Sequence, residues 1–244
     1  MQTLLADVVA ISPLTDHVHK VILKPQQPVS FEAGQYMQLV LGEKDKRAFS
    51  IASRPSQTEQ IELHIGASGA DSYAMQALEH LRHAHTEQQQ VNVEVGLGVS
   101  QLRTEGERPI ILLAGGTGFS YAKSMADHLA EIGCDRPVLF YWGVREESAL
   151  YAHDEMQAWA ESNPHFQYIP VVENAPASWS GKTGFVHKAV MADIVSLEPY
   201  DIYMAGRFDM IGIVRDDFIA HGAIREKHVR RCICIYKVSA PFLL

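Results

Sequence analysis

The sequence predicts two domains, an antiparallel β-barrel over residues 1–103 followed by a parallel-sheet α/β domain over residues 104–244. Three observations carry this. The length of 244 residues suits two units of roughly 100–150 residues each. Up to "RTEGERP" the apolar residues come in short runs broken by Pro, Gly and charged turns, as in strands with one face buried. From Pro109 onward, uninterrupted apolar strands alternate with helical segments, a pattern that requires a parallel sheet covered on both faces.

Six strands are expected in the first part: "ADVVAISPL", "HVHKVILKP", "GQYMQLVLG", "KRAFSIAS", "EQIELHIGA" and "QVNVEVGLG". Alternation is clearest in "QIELHIG", where Ile61, Leu63 and Ile65 oppose Gln60, Glu62 and His64. One helix interrupts them, "DSYAMQALEHLRHAH", with Asp71 or Ser72 as N-cap and Met75, Leu78 and Leu81 on one face. In the second part the strands are "PIILLAGG", "PVLFYWGV", "FQYIPVVE" and "DIYMAGR". The helices are "SYAKSMADHLAEIG", "SALYAHDEMQAWAES", "GFVHKAVMADIV" and "FDMIGIVRDDFIAHG". Ligands of such sheets bind beyond the carboxyl ends of the strands.

Composition excludes several function classes. With 47% hydrophobic and 20% charged residues the chain can bury a core. A formal charge of −8, from 29 acidic and 21 basic residues, argues against non-specific nucleic-acid binding. Three cysteines, an odd number, fit a reducing compartment rather than a disulfide framework. The N-terminal "MQTLLADVVAISPLTD" lacks the features of a signal peptide, and no window reaches the about 18 uncharged apolar residues of a membrane span. A cytoplasmic protein without nucleic-acid or membrane partners is expected.

Four stretches carry chemistry. In "PIILLAGGTGFSYAKSM" an apolar strand ends at Ala114, a Gly115–Gly118 turn follows, and a helix begins near Phe119. Glycines let a ligand approach the backbone, and a helix N-terminus presents unpaired N–H groups to an anion. Tight packing alone would also call for glycines here. "RAFSIAS" sets Arg47 and Phe49 on one strand face and Ala48 and Ser50 on the other, either to hold a planar hydrogen-bonding ligand or to form an edge-strand ion pair. "YWGVR" (Tyr141 to Arg145) and "AGRFDM" (Ala205 to Met210) end two more strands on the same rim as the glycine turn. Each supplies a glycine, an aromatic residue and an arginine.

In this order the four motifs resemble the ferredoxin–NADP reductase superfamily, and within it the small bacterial NAD(P)H:flavin oxidoreductases of the Fre type. The likeness runs from the N-terminus to about Glu226 and includes "FEAGQYMQLV" and "ELHIGAS". It implies a flavin-binding barrel followed by a Rossmann-like NAD(P)-binding domain. By that resemblance Arg47, Ala48, Phe49 and Ser50 line the isoalloxazine, with the Ser50 hydroxyl near flavin N5, and His64, Ile65 and Gly66 lie by the ribityl chain. Gly115, Gly116, Thr117, Gly118 and Phe119 hold the nicotinamide side, with Thr117 near the transfer point. Trp142, Gly143, Arg145, Gly206, Arg207, Phe208 and Met210 complete the NAD(P)H site. Ala48 departs from the proline often found there. The implied reaction passes a hydride from NAD(P)H to FMN, FAD or riboflavin, and the reduced flavin then serves a monooxygenase, a luciferase or ferric iron. The resemblance implies no metal.

Competing readings are a metal site at His80, His83 and His85, which lack a matched ligand set; a non-catalytic interaction platform; and an electron transferase with bound FAD. The last segment, "REKHVRRCICIYKVSAPFLL", departs from the family pattern. Suitable codons for Lys227 to Tyr236, read in a shifted frame, permit N-M-F-G-D-A-F-A-F-I, which fits it. Residues 227–244 are therefore expected to come from a frameshift, in which case Cys232 and Cys234 need no metal or redox role, while "CICIY" can still form an edge strand.

Overall fold

A computed structural model describes residues 1–67 and 72–223 in full, and residues 229–233 as backbone. The six expected strands of the first part all form: β1 (Gln2–Pro13), β2 (Val18–Pro25), β3 (Tyr36–Gly42), β4 (Asp45–Ser50), β5 (Ile61–Gly66) and β6 (Gln90–Leu97). They pair antiparallel in the order β4-β3-β6-β1-β2-β5. The segment leaving β4 then turns back onto β5. Ala52 N donates to Glu62 O at 2.8 Å, and Glu62 N donates to the Ser53 hydroxyl oxygen at 3.2 Å. These bonds join the two ends of the order into a barrel and satisfy edge groups left open by the sheet.

Helix α1 (Tyr73–Thr86) covers the barrel with Ala74, Ala77, Leu78, Leu81 and Ala84 buried. Its cap is Ser72, whose hydroxyl accepts from Met75 N at 3.1 Å; Asp71, the other expected cap, lies outside the described residues. Met75 is only partly buried, because the alanines rather than Met75 allow the close approach. His85 of this helix bonds Val8 O at 2.6 Å, and among the described residues no group of three or more His, Cys, Asp or Glu could hold a metal.

The second sheet is parallel, in the order β10-β9-β8-β7-β11-β12. Its strands are β7 (Ile110–Gly115), β8 (Val138–Val144), β9 (Phe166–Val172), β10 (Lys182–Thr183), β11 (Asp201–Gly206) and β12 (Val229–Ile233). The two-residue β10 is too short to show in an apolar pattern. β12 places the edge strand three residues earlier than "CICIY" suggests; residues 224–228 and 234–244, with most of the 227–244 tail, lie outside the described residues. Helices α2 (Phe119–Glu131), α3 (His153–Glu161), α4 (Val186–Asp193) and α5 (Phe208–Ala220) cover the sheet. Two cores lie on its faces, one around Leu112, Phe140 and Trp142 and one around Leu113, Val171 and Met204. None of the described helices is long and apolar enough to cross a membrane.

Helix α2 joins the two sheets. Eight of its residues are buried, as a helix covered on both sides requires. Tyr121 donates to Ser100 O at 2.7 Å and Ser124 to Ser53 O at 2.7 Å. Gly34, at φ +92°, leaves room for Met125 and Tyr121 where the barrel backbone meets this helix.

Candidate active site at the seam between the sheets

The carboxyl ends of β7, β8 and β11 open beside the end of β5. After β7 the chain makes a short 3-10 turn over Gly116–Gly118 and enters α2, whose N-terminus has no side-chain cap. The three turn glycines have different reasons. A Cβ on Gly118 would lie 2.3 Å from Ala205 O, and one on Gly115 would lie 2.4 Å from Met210 Sδ. These two glycines therefore serve packing against β11 and α5. Gly116 sits at φ +54° with nothing within 4 Å of an added Cβ. Its backbone faces open space next to uncapped N–H groups, which suits an anionic ligand.

Across the seam, a Cβ on Gly66 would lie 2.9 Å from Thr117 Cγ2. The structure thus brings the end of β5 and the glycine turn into contact. His64 continues the contact: its ring lies near-parallel to Phe119, at 5.9 Å and 10°. Phe119 in turn stacks on Trp142 at 4.0 Å, and Trp142 Nε1 donates to Gly116 O at 3.0 Å. Phe119 and Trp142 have no exposed surface, so they support the turn from behind. Gly143 lies against Val186, and Gly206 is buried beside Met210. On the rim Arg145, Arg207 and Phe208 are exposed, and among the described residues neither arginine has a side-chain ion pair.

On the barrel side Ser50 is buried at the end of β4, paired with Tyr36, and Ile65 is buried. Arg47 turns toward α1. It is ion-paired with Asp45, with Nη2–Oδ2 at 2.7 Å, donates to Tyr73 O and Gln76 Oε1 at 3.0 Å each, and lies 4.4 Å over the Tyr73 ring. Phe49 shares that side, 6.4 Å from Tyr73, while Ala48 N donates to the Tyr73 hydroxyl at 2.8 Å.

Three further residues belong to this seam and are not visible as motifs. Glu62 accepts from His64 Nε2 at 2.8 Å, and the Tyr151 hydroxyl meets His64 Nδ1 at 3.2 Å. Lys123 is ion-paired with Asp127 at 2.6 Å. Burial alone pulls the Lys123 ammonium down, but Asp127, Glu62 and Glu155 outweigh it and hold it above its ordinary value. Burial pushes the Glu62 carboxyl up, yet the His64 hydrogen bond and the Lys123 charge outweigh that and hold it below its ordinary value near 4.5.

Residues 112–216 match the oxidoreductase NAD-binding domain family. An NAD(P)H-flavin reductase of Vibrio harveyi is 44% identical over 217 residues, spanning 88% of this chain and 92% of the relative. One from Aliivibrio fischeri is also 44% identical, over 90% of this chain and 93% of its own. The chain belongs to the NAD(P)H-flavin reductase family. The fold is shared with the cytochrome P450 reductase GcoB of Amycolatopsis, at TM-score 0.81 and 25% identity over 94% of this chain and 69% of that one. A ferredoxin NADP+ reductase from Neisseria gonorrhoeae with bound FAD and NADP has the same fold, at TM-score 0.77 and 17% identity over 96% and 100% of the two chains.

In this flavin reductase family member the Glu62 charge has a stability consequence. A carboxylate with a depressed folded-state pKa stabilises above its unfolded value, and the contribution is lost as pH falls through the folded one. Glu62→Gln is expected to flatten the fall of Tm on acidification below about pH 5. Parallel Tm–pH curves for variant and wild type would show that Glu62 contributes nothing there.

Proposed function

We propose that this protein transfers a hydride from NAD(P)H to free flavin (FMN, FAD or riboflavin) in the cytoplasm, releasing reduced flavin to a monooxygenase or luciferase or to reduce ferric iron. Residues 1–103 bind the flavin and residues 104–244 the nicotinamide cofactor. The observation that carries this is the contact of Gly66 with Thr117, where the strand assigned to the ribityl chain meets the turn assigned to the nicotinamide. The ligands supply the chemistry: the C4–H bond of dihydronicotinamide breaks, an N5–H bond forms on the flavin, and two electrons move with the hydride.

The protein supplies position and field. The uncapped start of α2 and the open backbone at Gly116 hold the pyrophosphate, and Arg145 and Arg207 draw phosphate toward the rim. Glu146 and Glu147 follow Arg145 directly in the chain, and their negative charge favours NADH over a cofactor with a 2′-phosphate. Thr117 and Gly66 set the spacing of the two rings. Ser50 donates its hydroxyl to the N5 edge, and its burial keeps water away from that bond. Ala48, in place of proline, leaves its N–H free to bond Tyr73.

The test is turnover of the purified protein with NADH and NADPH, each against FMN, FAD and riboflavin. Activity with all three flavins supports the proposal. A purified yellow protein with stoichiometric FAD and no free-flavin turnover would replace it with the electron-transferase reading. Ser50→Ala is expected to lower kcat/KM for riboflavin about tenfold or more with Tm little changed. An unaltered kcat/KM would remove Ser50 from the site. The frameshift origin of residues 227–244 is part of the proposal and is checked by resequencing the gene; codons incompatible with the shifted frame rule it out.

A further inference from the structure

Between the 3-10 turn Glu147–Ala149 and the start of α3, the chain leaves helical geometry. Leu150 has ψ 59° and Ala152 has φ −124°. The non-helical stretch turns Tyr151 into the seam, where it meets three rings at steep angles: Trp142 at 5.0 Å and 75°, His64 at 5.4 Å and 85°, and Phe119 at 5.5 Å and 86°. Edge-to-face contacts of this kind favour one orientation of each ring. The residue is partly exposed, yet burial of its hydroxyl end pushes the phenol far above its ordinary pKa, so that it remains a donor.

The polar bonds agree with one another. Glu62, held ionised, accepts a hydrogen bond from His64 Nε2–H. With the proton on Nε2, Nδ1 accepts from the Tyr151 hydroxyl, whose only polar hydrogen is then used. His64 is thereby held on both ring nitrogens, with its flat face on Phe119. His64 belongs to β5, two residues before Gly66, while Phe119 follows Thr117 by two. Whatever fixes His64 against Phe119 also fixes Gly66 against Thr117.

We propose that Tyr151 is a positioning residue for hydride transfer, locking His64 of the barrel onto Phe119 of the α/β domain and so setting the gap in which flavin and nicotinamide stack. The inference rests on the flavin-reductase reading above. It acts through spacing and not through contact with either ligand, so its effect falls on the transfer step and not on the affinity for one ligand.

Tyr151→Phe keeps the ring packing and deletes only the bond to His64. In single-turnover mixing of NADH with the riboflavin-loaded protein, the rate constant for flavin reduction is expected to fall about tenfold. Riboflavin Kd should stay within about twofold and Tm within a few degrees, and the primary isotope effect with 4-deuterated NADH should rise toward its intrinsic value. In a His64→Gln background, Tyr151→Phe should add little further loss, since the bond is already gone. A Tyr151→Phe rate constant equal to wild type would overturn the proposal. So would a loss matched by an equal fall in riboflavin affinity or thermal stability, which marks plain packing. Wild-type protein inactive with every flavin and nicotinamide pair would instead overturn the function on which it rests.

Discussion

Gly118→Ala is expected to give little or no folded protein. The added methyl carbon would lie 2.3 Å from Ala205 O, 2.5 Å from Ala205 C and 2.9 Å from Gly206 N. All three atoms are backbone of β11, which is held between β7 and β12 and has no direction in which to yield. Overpacking a core typically costs 1–3 kcal/mol even where side chains can shift. Here none can, and the loss is measured against a total stability of about 5–15 kcal/mol. Gly116→Ala is the control within the same turn. Its Cβ meets nothing, and only the left-handed backbone is strained, at about 1–2 kcal/mol. Soluble yield and thermal denaturation of the two variants separate them. A Gly118→Ala protein with Tm within about 5 °C of wild type would defeat the argument.

That contrast bears on how far a glycine-rich motif can be read. "GGTG" after an apolar strand signals a site, but the letters do not say which glycine faces a ligand. Two of the three are explained by Ala205 and Met210, residues about ninety positions away. The strands themselves were legible because their patterns are local: period 2 in "QIELHIG", unbroken apolar runs in "PIILLAGG" and "DIYMAGR". The helix expected from Ser148 was not. It begins at His153, because tertiary contacts of Tyr151 outweigh the local preference for helix. The same holds for Glu62 and His64. Alternation sets them opposite the barrel core, where water is the default; instead α2 and Tyr151 cover them, and His64 is 8% exposed. A pattern of alternation identifies a polar face but not what lies over it.

Arg136→Met is expected to lower Tm by on the order of 10 °C while leaving turnover of the folded protein close to wild type at low temperature. Arg136 lies in the turn "GCDRPV" just before β8, and its side chain is only 4% exposed. Nε donates to Arg108 O at 2.6 Å, Nη1 to Arg103 O at 3.0 Å and Nη2 to Asp201 Oδ2 at 2.7 Å. Arg108 adds a bond to the other Asp201 oxygen at 3.2 Å, and Arg103 N donates to the Tyr203 hydroxyl at 3.0 Å. The guanidinium therefore ties the segment leading from β6 into β7 to the start of β11. Removing one partner of such a buried pair costs about 3–5 kcal/mol, since the remaining acceptors lose both their donors and water. Arg136→Lys should recover only part, because an ammonium cannot span three acceptors in the plane of the guanidinium fork. This clamp grips the amino ends of β7, β8 and β11, whereas the glycine turn and Tyr151 sit at their carboxyl ends. Loss of Arg136 should thus weaken the fold and spare the transfer step, the reverse of Tyr151→Phe. An Arg136→Met protein with wild-type Tm, or one that folds but reduces flavin poorly in the cold, would show that the two ends of the seam do not act separately.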